Sequence, residues 1–120
     1  MRSADTPVIV IVRDRLEPLA QLLAWLERAG AQRVVLVDNA STYPPLVENL
    51  ADSPHEVIRL DRNLGHRSPW LAGIAQRLGW DRPYLVTDPD VVPTDDCPLD
   101  AIDHLHGVLD RHRWLTKVGL

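Results

Sequence analysis

Phenylalanine is absent from this chain of 120 residues, and cysteine occurs only once, as Cys97. The hydrophobic core must therefore be built from Val, Leu and Ile, helped by four Trp and two Tyr. A single cysteine cannot form an intramolecular disulfide, which is typical of proteins from a reducing compartment. We therefore expect a cytoplasmic protein in which Cys97 has no catalytic role.

Long apolar segments and an excess of positive charge are also missing. No run reaches the roughly 18 apolar residues of a membrane-spanning helix, so we expect no transmembrane segment. The formal net charge is −4, whereas proteins that bind nucleic acid through its phosphates usually carry a basic excess. Nucleic acid is therefore not an expected partner. The length and an apolar content of 45% suit a single domain over residues 1–120.

Strand-like runs alternate with amphipathic helical patterns along the chain. Residues 7–12 read Pro-Val-Ile-Val-Ile-Val, a β-branched run typical of a strand buried on both faces. Further strands are predicted over residues 33–38, 56–60 and 83–88, with another candidate at 114–118. Helices are predicted over residues 16–29, 45–51, from 68 onward and 98–112. This alternation predicts a three-layer, doubly wound α/β fold with a mostly parallel, Rossmann-like sheet.

Capping signals and leucine spacing define the later two helices. Ser68, followed by Pro69, is expected to cap the third helix, and Asp96 is expected to cap the last. The core-facing side of the third helix is predicted to comprise Leu71, Ile74 and Leu78. That of the last helix is predicted to comprise Leu99, Ile102, Leu105 and Leu109.

Polar residues follow each of the first four predicted strands. They are Arg13-Asp14, Asp38-Asn39, Asp61-Arg62-Asn63 and Asp88-Pro89-Asp90. In open parallel sheets, ligands bind beyond the carboxyl ends of the strands. The concentration of polar side chains at this edge therefore predicts a binding site.

Asp88-Pro89-Asp90 is the sharpest of these signals. Two carboxylates at positions i and i+2 of an extended backbone point to the same side. They would suit Mg²⁺ or Mn²⁺ carrying substrate phosphates, because both ions prefer hard oxygen ligands. Such a sequence is also common in solvent-exposed turns, and that alternative stays open.

Three more positions have both a binding and a structural interpretation. The carboxylate of Asp38 could accept hydrogen bonds from a base or ribose, or it could stabilise a local turn. Gly65 permits a tight turn and close approach of a ligand to the backbone. Arg67 or Arg62 could pair with a phosphate, or lie on the surface as an ordinary loop arginine.

The order of these motifs resembles the nucleotide-binding half of a family 2 glycosyltransferase, which has the GT-A fold. The residues that carry the resemblance are 37–41 (Val-Asp-Asn-Ala-Ser), 63–65 (Asn-Leu-Gly), 73–75 (Gly-Ile-Ala) and 88–91 (Asp-Pro-Asp-Val). The resemblance implies metal-dependent binding of a UDP- or GDP-linked sugar and glycosyl transfer to an acceptor that the sequence does not identify.

The resemblance also implies roles for individual residues. Asp38 would contact the nucleotide base, and Asp88 would lie toward the ribose or the metal. Asp90 would bind the Mn²⁺ or Mg²⁺ that bridges the diphosphate. Asn63 and Gly65 would shape the floor of the pocket. Arg13, after the first strand, is a further candidate for nucleotide contact, as is Arg67.

Two features depart from the family pattern. Trp70-Leu71 stands where many relatives carry Arg-Asn. The family normally continues with a second half that builds the acceptor site and supplies the base of inverting members, and this sequence contains no identifiable base. A partner chain or self-association through an open sheet edge is therefore expected to complete the acceptor side.

Two other functions fit parts of the pattern. A glycosyltransferase-like module that has lost turnover would bind a nucleotide without transferring sugar; the absence of an identifiable base fits it, and a fold-level analogy does not settle activity. A phosphorylation-receiver domain has a similar alternation of strands and helices. Asp61, Thr87 and Lys117 would then serve as phospho-acceptor, switch hydroxyl and lysine. However, Arg13-Asp14 stands where a receiver needs an acidic pair.

Overall fold

The computed structural model describes residues 6–119, which form an α/β fold around a four-stranded parallel sheet. The strands are β1 (Val8–Val12), β2 (Val34–Asp38), β3 (Glu56–Arg59) and β4 (Leu85–Thr87), in the order β3-β2-β1-β4. The helices are α1 (Leu16–Arg28), α2 (Pro44–Ala51), α3 (Ser68–Leu71), α4 (Ile74–Leu78) and α5 (Ala101–Arg111). The predicted three-layer, Rossmann-like architecture is therefore confirmed.

The core lies on both faces of strand β1, all five residues of which are buried. On one face, the side chains of Val8, Val10 and Val12 pack with α1, α2 and α5. On the other face, Ile9 packs with two valines of β2 and with Ile74 of α4. Burial of each such side chain contributes about 1.5–3 kcal/mol, which explains why the β-branched runs occupy the central strands.

The strand register brings the four carboxyl ends to one edge of the sheet. Val12, the last residue of β1, pairs with Asp38, and Asp38 pairs with Arg59 of β3. On the other side of β1, Val10 pairs with Thr87, the last residue of β4. The loops after all four strands therefore start close together, as the sequence predicted.

The predicted third helix is interrupted. α3 ends at Leu71, and Gly73 has a left-handed backbone with φ of 62° before α4 begins. The predicted common face is wrong, because Leu71 is 58% exposed whereas Ile74 is buried. Ser68 is not the cap: a 3-10 turn (Gly65–Arg67) precedes it, and its buried hydroxyl has no hydrogen-bond partner within residues 6–119.

The segment after β4 also differs from the prediction. α5 begins at Ala101, Asp100 occupies the N-cap position without a side-chain hydrogen bond, and Asp96 lies outside the helix. The buried face of α5 is formed by Ile102 and His106, whereas Leu99 is exposed. Residues 114–118 form turns and irregular backbone instead of a strand. Within residues 6–119, no helix is long and apolar enough to cross a membrane.

Candidate functional site

A cleft of about 420 Å³ opens at the carboxyl ends of the strands. It is lined from the loops that follow β1, β2, β3 and β4 and by the end of β1 itself. The lining residues are Ile11, Arg13, Arg15, Asn39, Asn63, Gly65, His66, Asp88, Pro89 and Asp90. Five of the residues that the sequence singled out are therefore brought together, namely Arg13, Asn63, Gly65, Asp88 and Asp90.

Asp88 and Asp90 reach the cleft from a turn rather than from extended backbone. The turn is closed by a hydrogen bond of 3.5 Å from the Val91 amide to the Asp88 carbonyl oxygen. The predicted extended geometry is therefore wrong, and the backbone matches the alternative of a solvent-exposed turn, because Pro89 bends the chain directly after β4. Both aspartates are exposed, and both still line the same cleft.

Arg15 is a cleft residue that the sequence analysis missed. Its Nη1 lies 3.9 Å from Oδ2 of Asp90, and the two side chains are 64% and 49% exposed. This contact joins the loop after β1 to the loop after β4. The only signal in the sequence is its position two residues beyond Arg13, in a loop that starts at the ligand-binding edge of the sheet.

The chemistry of the cleft fits a divalent cation that keeps part of its coordination for a ligand. Asp88 and Asp90 supply hard carboxylate oxygens, as Mg²⁺ and Mn²⁺ prefer. The guanidinium of Arg15 beside Asp90 shows that this carboxylate already faces a positive charge. Within residues 6–119, no group of three or more His, Cys, Asp or Glu side chains is arranged for a metal. Phosphate oxygens and water would have to complete the coordination.

Arg13 links the first two loops. Its Nη1 donates a hydrogen bond of 2.7 Å to the carbonyl oxygen of Asn39 and a longer one of 3.5 Å to that of Ala40. Ala40 has φ of 59°, a left-handed backbone that costs a non-glycine residue about 1–3 kcal/mol. Arg13 therefore lines the cleft, but its Nη1 already donates hydrogen bonds that hold this strained loop.

Asn39 joins the second and third loops from a nearly fully buried position. Its Nδ2 donates to the carbonyl oxygen of Gly65 at 2.9 Å, and its Oδ1 accepts from the Leu64 amide at 2.8 Å. Asn63 Oδ1 accepts from the Gly65 amide at 2.9 Å, and Gly65 adopts φ of 75°. The loop that lines this side of the cleft is therefore held by two amide side chains, of which the sequence had suggested a specific site role only for Asn63.

Asp38 and Arg67 do not line the cleft. The side chain of Asp38 is fully buried, and its Oδ1 accepts from the Ser41 amide at 3.0 Å. Its Oδ2 accepts from Arg59 Nε at 2.9 Å. The bond to Ser41 is a local turn interaction of the kind that Asp commonly makes. Contact of Asp38 with a nucleotide base stays a prediction, as does a phosphate contact of Arg67.

Asp14 lies in the loop after β1, and its hydrogen bonds hold the neighbouring loop that follows β2. Its Oδ1 accepts from the amides of Thr42 and Tyr43 at 2.7 and 2.8 Å, at the start of α2. Its own amide donates to Ser41 Oγ at 3.0 Å. The backbone hydrogen bond from Tyr43, and then that from Thr42, lowers the pKa of the Asp14 carboxyl. The ionised form is favoured because a carboxylate accepts these two hydrogen bonds more strongly than a neutral carboxyl group does.

A larger cavity, of about 720 Å³, lies beside the outer edge of β4. Trp70, Tyr84 and Leu115 supply apolar walls, and Lys117 lines the same space. None of the residues that we singled out for metal or nucleotide binding lines it. We therefore place the candidate site in the smaller cleft, where those residues meet.

The sequence matches no protein-family model, and no curated protein matches it at a significant level. The resemblance to family 2 glycosyltransferases is therefore carried by the ordered motifs alone. The activity that this resemblance implies stays a prediction.

Proposed function

We propose that this protein binds a nucleoside-diphosphate sugar through Mn²⁺ or Mg²⁺ and transfers the glycosyl group to an acceptor. The observation that supports this proposal is the meeting of Arg13, Asn63, Gly65, Asp88 and Asp90 in one cleft. These residues come from three separate loops and are distant in sequence. The parallel strand register alone brings these loops to one edge of the sheet, so the support comes from the residue types that line the cleft, namely two carboxylates, an arginine, an amide and a glycine.

Each cleft residue has a chemical role in the proposal. Asp88 and Asp90 would hold the divalent cation, which would neutralise charge on the diphosphate when bound. Asn63 and Gly65 would support the nucleotide, because Gly65 has no side chain to keep a ligand from the backbone. The donor would be UDP- or GDP-linked. The expected cytoplasmic location stays a prediction.

Transfer would require attack by an acceptor hydroxyl oxygen on the anomeric carbon. The bond from that carbon to the diphosphate oxygen would break, and the hydroxyl proton would pass to a base. We assign no residue of the cleft to the base, since both aspartates are committed to the cation and no described hydrogen bond orients the imidazole of His66. A partner chain or a second copy of this chain would supply the acceptor side.

A non-catalytic nucleotide-binding module is the second candidate. It is supported by the same set of cleft residues, because both aspartates that line the cleft would be used in binding the cation and neither would be left to act as a base. The receiver alternative finds less support in the strand order. β3 and β4 lie at opposite ends of the described sheet, about 14 Å apart at ordinary strand spacing. Asp61 and Thr87, at the ends of those strands, are therefore far apart for one phosphorylation site.

The first experiment is a calorimetric titration of UDP and GDP, with and without Mn²⁺, against the wild-type protein and Asp90→Ala. Asp81→Ala is the matched control, because Asp81 is an exposed aspartate in the loop before β4, at the opposite edge of the sheet. We expect Mn²⁺-dependent binding that Asp90→Ala abolishes and Asp81→Ala preserves. Absence of binding of both nucleotides in every metal condition would contradict the proposal. Binding without consumption of UDP- or GDP-sugars would favour the non-catalytic module.

A further inference from the structure

The charged side chains that line the cleft are two arginines and two aspartates. A diphosphate that entered this cleft would meet the carboxylates of Asp88 and Asp90, so it needs cationic groups with free hydrogen-bond donors. Arg13 is only partly available, because its Nη1 donates to the carbonyl oxygens of Asn39 and Ala40. Arg15 makes a single described contact with an acidic group, at 3.9 Å from Asp90, and its side chain is 64% exposed.

We infer that Arg15 binds the diphosphate of the donor, and that Asp90 holds its guanidinium at the cleft until a cation takes its place. This inference rests on the proposed function and names a phosphate-binding residue for it. A guanidinium presents five donors in a planar fork that matches phosphate oxygens. An exposed ion pair at this distance is weak, so Arg15 can leave Asp90 at little cost.

Within residues 6–119, Arg15 makes one described side-chain interaction, the weak ion pair with Asp90. It occupies the N-cap position of α1, yet its side chain makes no capping hydrogen bond. A positive charge at the start of a helix is mildly unfavourable, because the amide groups there already carry partial positive charge. A ligand-binding role accounts for an arginine at this position better than helix stability does.

The arrangement links cation binding to the position of Arg15. The guanidinium and a divalent cation would compete for the same carboxylate of Asp90. Removal of the guanidinium should therefore leave binding of Mn²⁺ alone unchanged or tighter. The same removal should weaken binding of a nucleoside diphosphate in the presence of Mn²⁺. A loss of local structure would instead weaken both.

The test compares Mn²⁺ alone, uridine, UMP and UDP by calorimetry, or the guanosine series if GDP is the nucleotide that binds. The proteins are wild type, Arg15→Ala, Arg15→Lys and the control Arg82→Ala, which removes an exposed arginine before β4. We expect Arg15→Ala to weaken UDP binding with Mn²⁺ by about tenfold or more, the usual value of a hydrogen bond to a charged group. Binding of uridine and of Mn²⁺ alone should not weaken, and Arg15→Lys should restore part of the loss.

Wild-type affinity for UDP in Arg15→Ala would overturn the inference and leave the proposed function standing. An equal loss of uridine, UDP and Mn²⁺ binding would also overturn it, because that result describes a structural residue. Failure of the wild-type protein to bind either nucleoside diphosphate would remove the proposed function and this inference together.

Discussion

Arg59 of the edge strand β3 donates a 2.9 Å hydrogen bond from Nε to the carboxylate of Asp38, whose side chain is fully buried at the end of β2. The two residues are register partners in the parallel sheet. The other carboxylate oxygen of Asp38 accepts from the Ser41 amide. The pair therefore fixes the loop that leads from β2 into the cleft, while half of the Arg59 side chain stays in solvent.

Replacement of Arg59 by alanine is expected to destabilise the fold. The buried carboxylate of Asp38 would lose its charged partner, and we expect a loss of about 1–2 kcal/mol because the arginine itself is half exposed. The measurement is the urea midpoint of unfolding followed by circular dichroism. Arg62→Ala is the control, since this exposed arginine makes no ion pair within residues 6–119. Equal midpoints for the two variants would contradict the prediction.

Asp14 predicts a pH dependence of stability. Its carboxyl has a folded-state pKa below the ordinary value of 3.8, because the Tyr43 and Thr42 amides donate to it. The ionised group therefore contributes stability above the ordinary value, and this contribution is lost as pH falls through the lowered folded pKa. Asp14→Asn should lower the urea midpoint at about pH 7, and its difference from wild type should shrink below about pH 4.

Asp95→Asn is the matched control for that experiment. Asp95 is an exposed aspartate in a separate turn between β4 and α5, closed by a hydrogen bond from the Cys97 amide to the Thr94 carbonyl oxygen, and no described hydrogen bond involves its side chain. Its midpoint should follow the wild-type curve at every pH. A constant difference between Asp14→Asn and wild type from neutral to acid pH would show that the carboxylate charge is not responsible.

The left-handed backbone of Gly73 predicts that replacement by alanine destabilises the protein. Its φ of 62° disfavours a side chain, although a Cβ there would meet only Gln76 Oε1 at 3.7 Å. Gly73→Ala should therefore cost about 1 kcal/mol through backbone strain and not through collision. Gly107→Ala is the opposing control, because Gly107 lies inside α5 and its nearest contact is the movable end of Arg111. It should stabilise the protein by about 0.5–1 kcal/mol. A stabilised Gly73→Ala would refute this reading of the break between α3 and α4.

The strands of the sheet could be predicted because β1 and β2 contain continuous apolar runs, which are stable only when both faces are buried. Val8–Val12 is β-branched throughout and is buried on both faces. The break at Gly73 was missed because Leu71, Ile74 and Leu78 keep helical spacing across it. A glycine inside such a pattern does not by itself reveal a left-handed residue.

The sequence predicted the site residues whose type and position at a strand end suggest binding. It missed the residues whose role depends on contacts between distant parts of the chain. Asp88 and Asp90 could be placed at the cleft because they directly follow a predicted strand of the parallel sheet. The full burial of Asp38 depends on Arg59, which the register of β3 places beside it. No local pattern in the sequence specifies that partner. Arg15 was missed because its relation to Asp90 joins the first loop of the sheet to the last.

Asn39 connects stability to the candidate site. It is 2% exposed and holds both the Leu64 amide and the Gly65 carbonyl group. Asn39→Ala would leave these two backbone groups without their partner, which should cost about 2–3 kcal/mol. Of its described attachments to the end of β2, the loop that carries Asn63 would keep only the backbone hydrogen bond from the Leu60 amide to the Asp38 carbonyl oxygen. We therefore expect a lower urea midpoint and faster hydrogen exchange of the Leu64 amide.

Asn39→Asp separates the two hydrogen bonds. A carboxylate can still accept from the Leu64 amide, but it cannot donate to the Gly65 carbonyl oxygen and would repel it. This variant should therefore keep exchange protection at Leu64 better than Asn39→Ala while remaining less stable than wild type. Asn49→Ala is the control, because Asn49 is exposed on α2, where alanine is the better helix former. If Asn39→Ala matched Asn49→Ala in both midpoint and exchange, the buried amide could not be what holds the floor of the cleft.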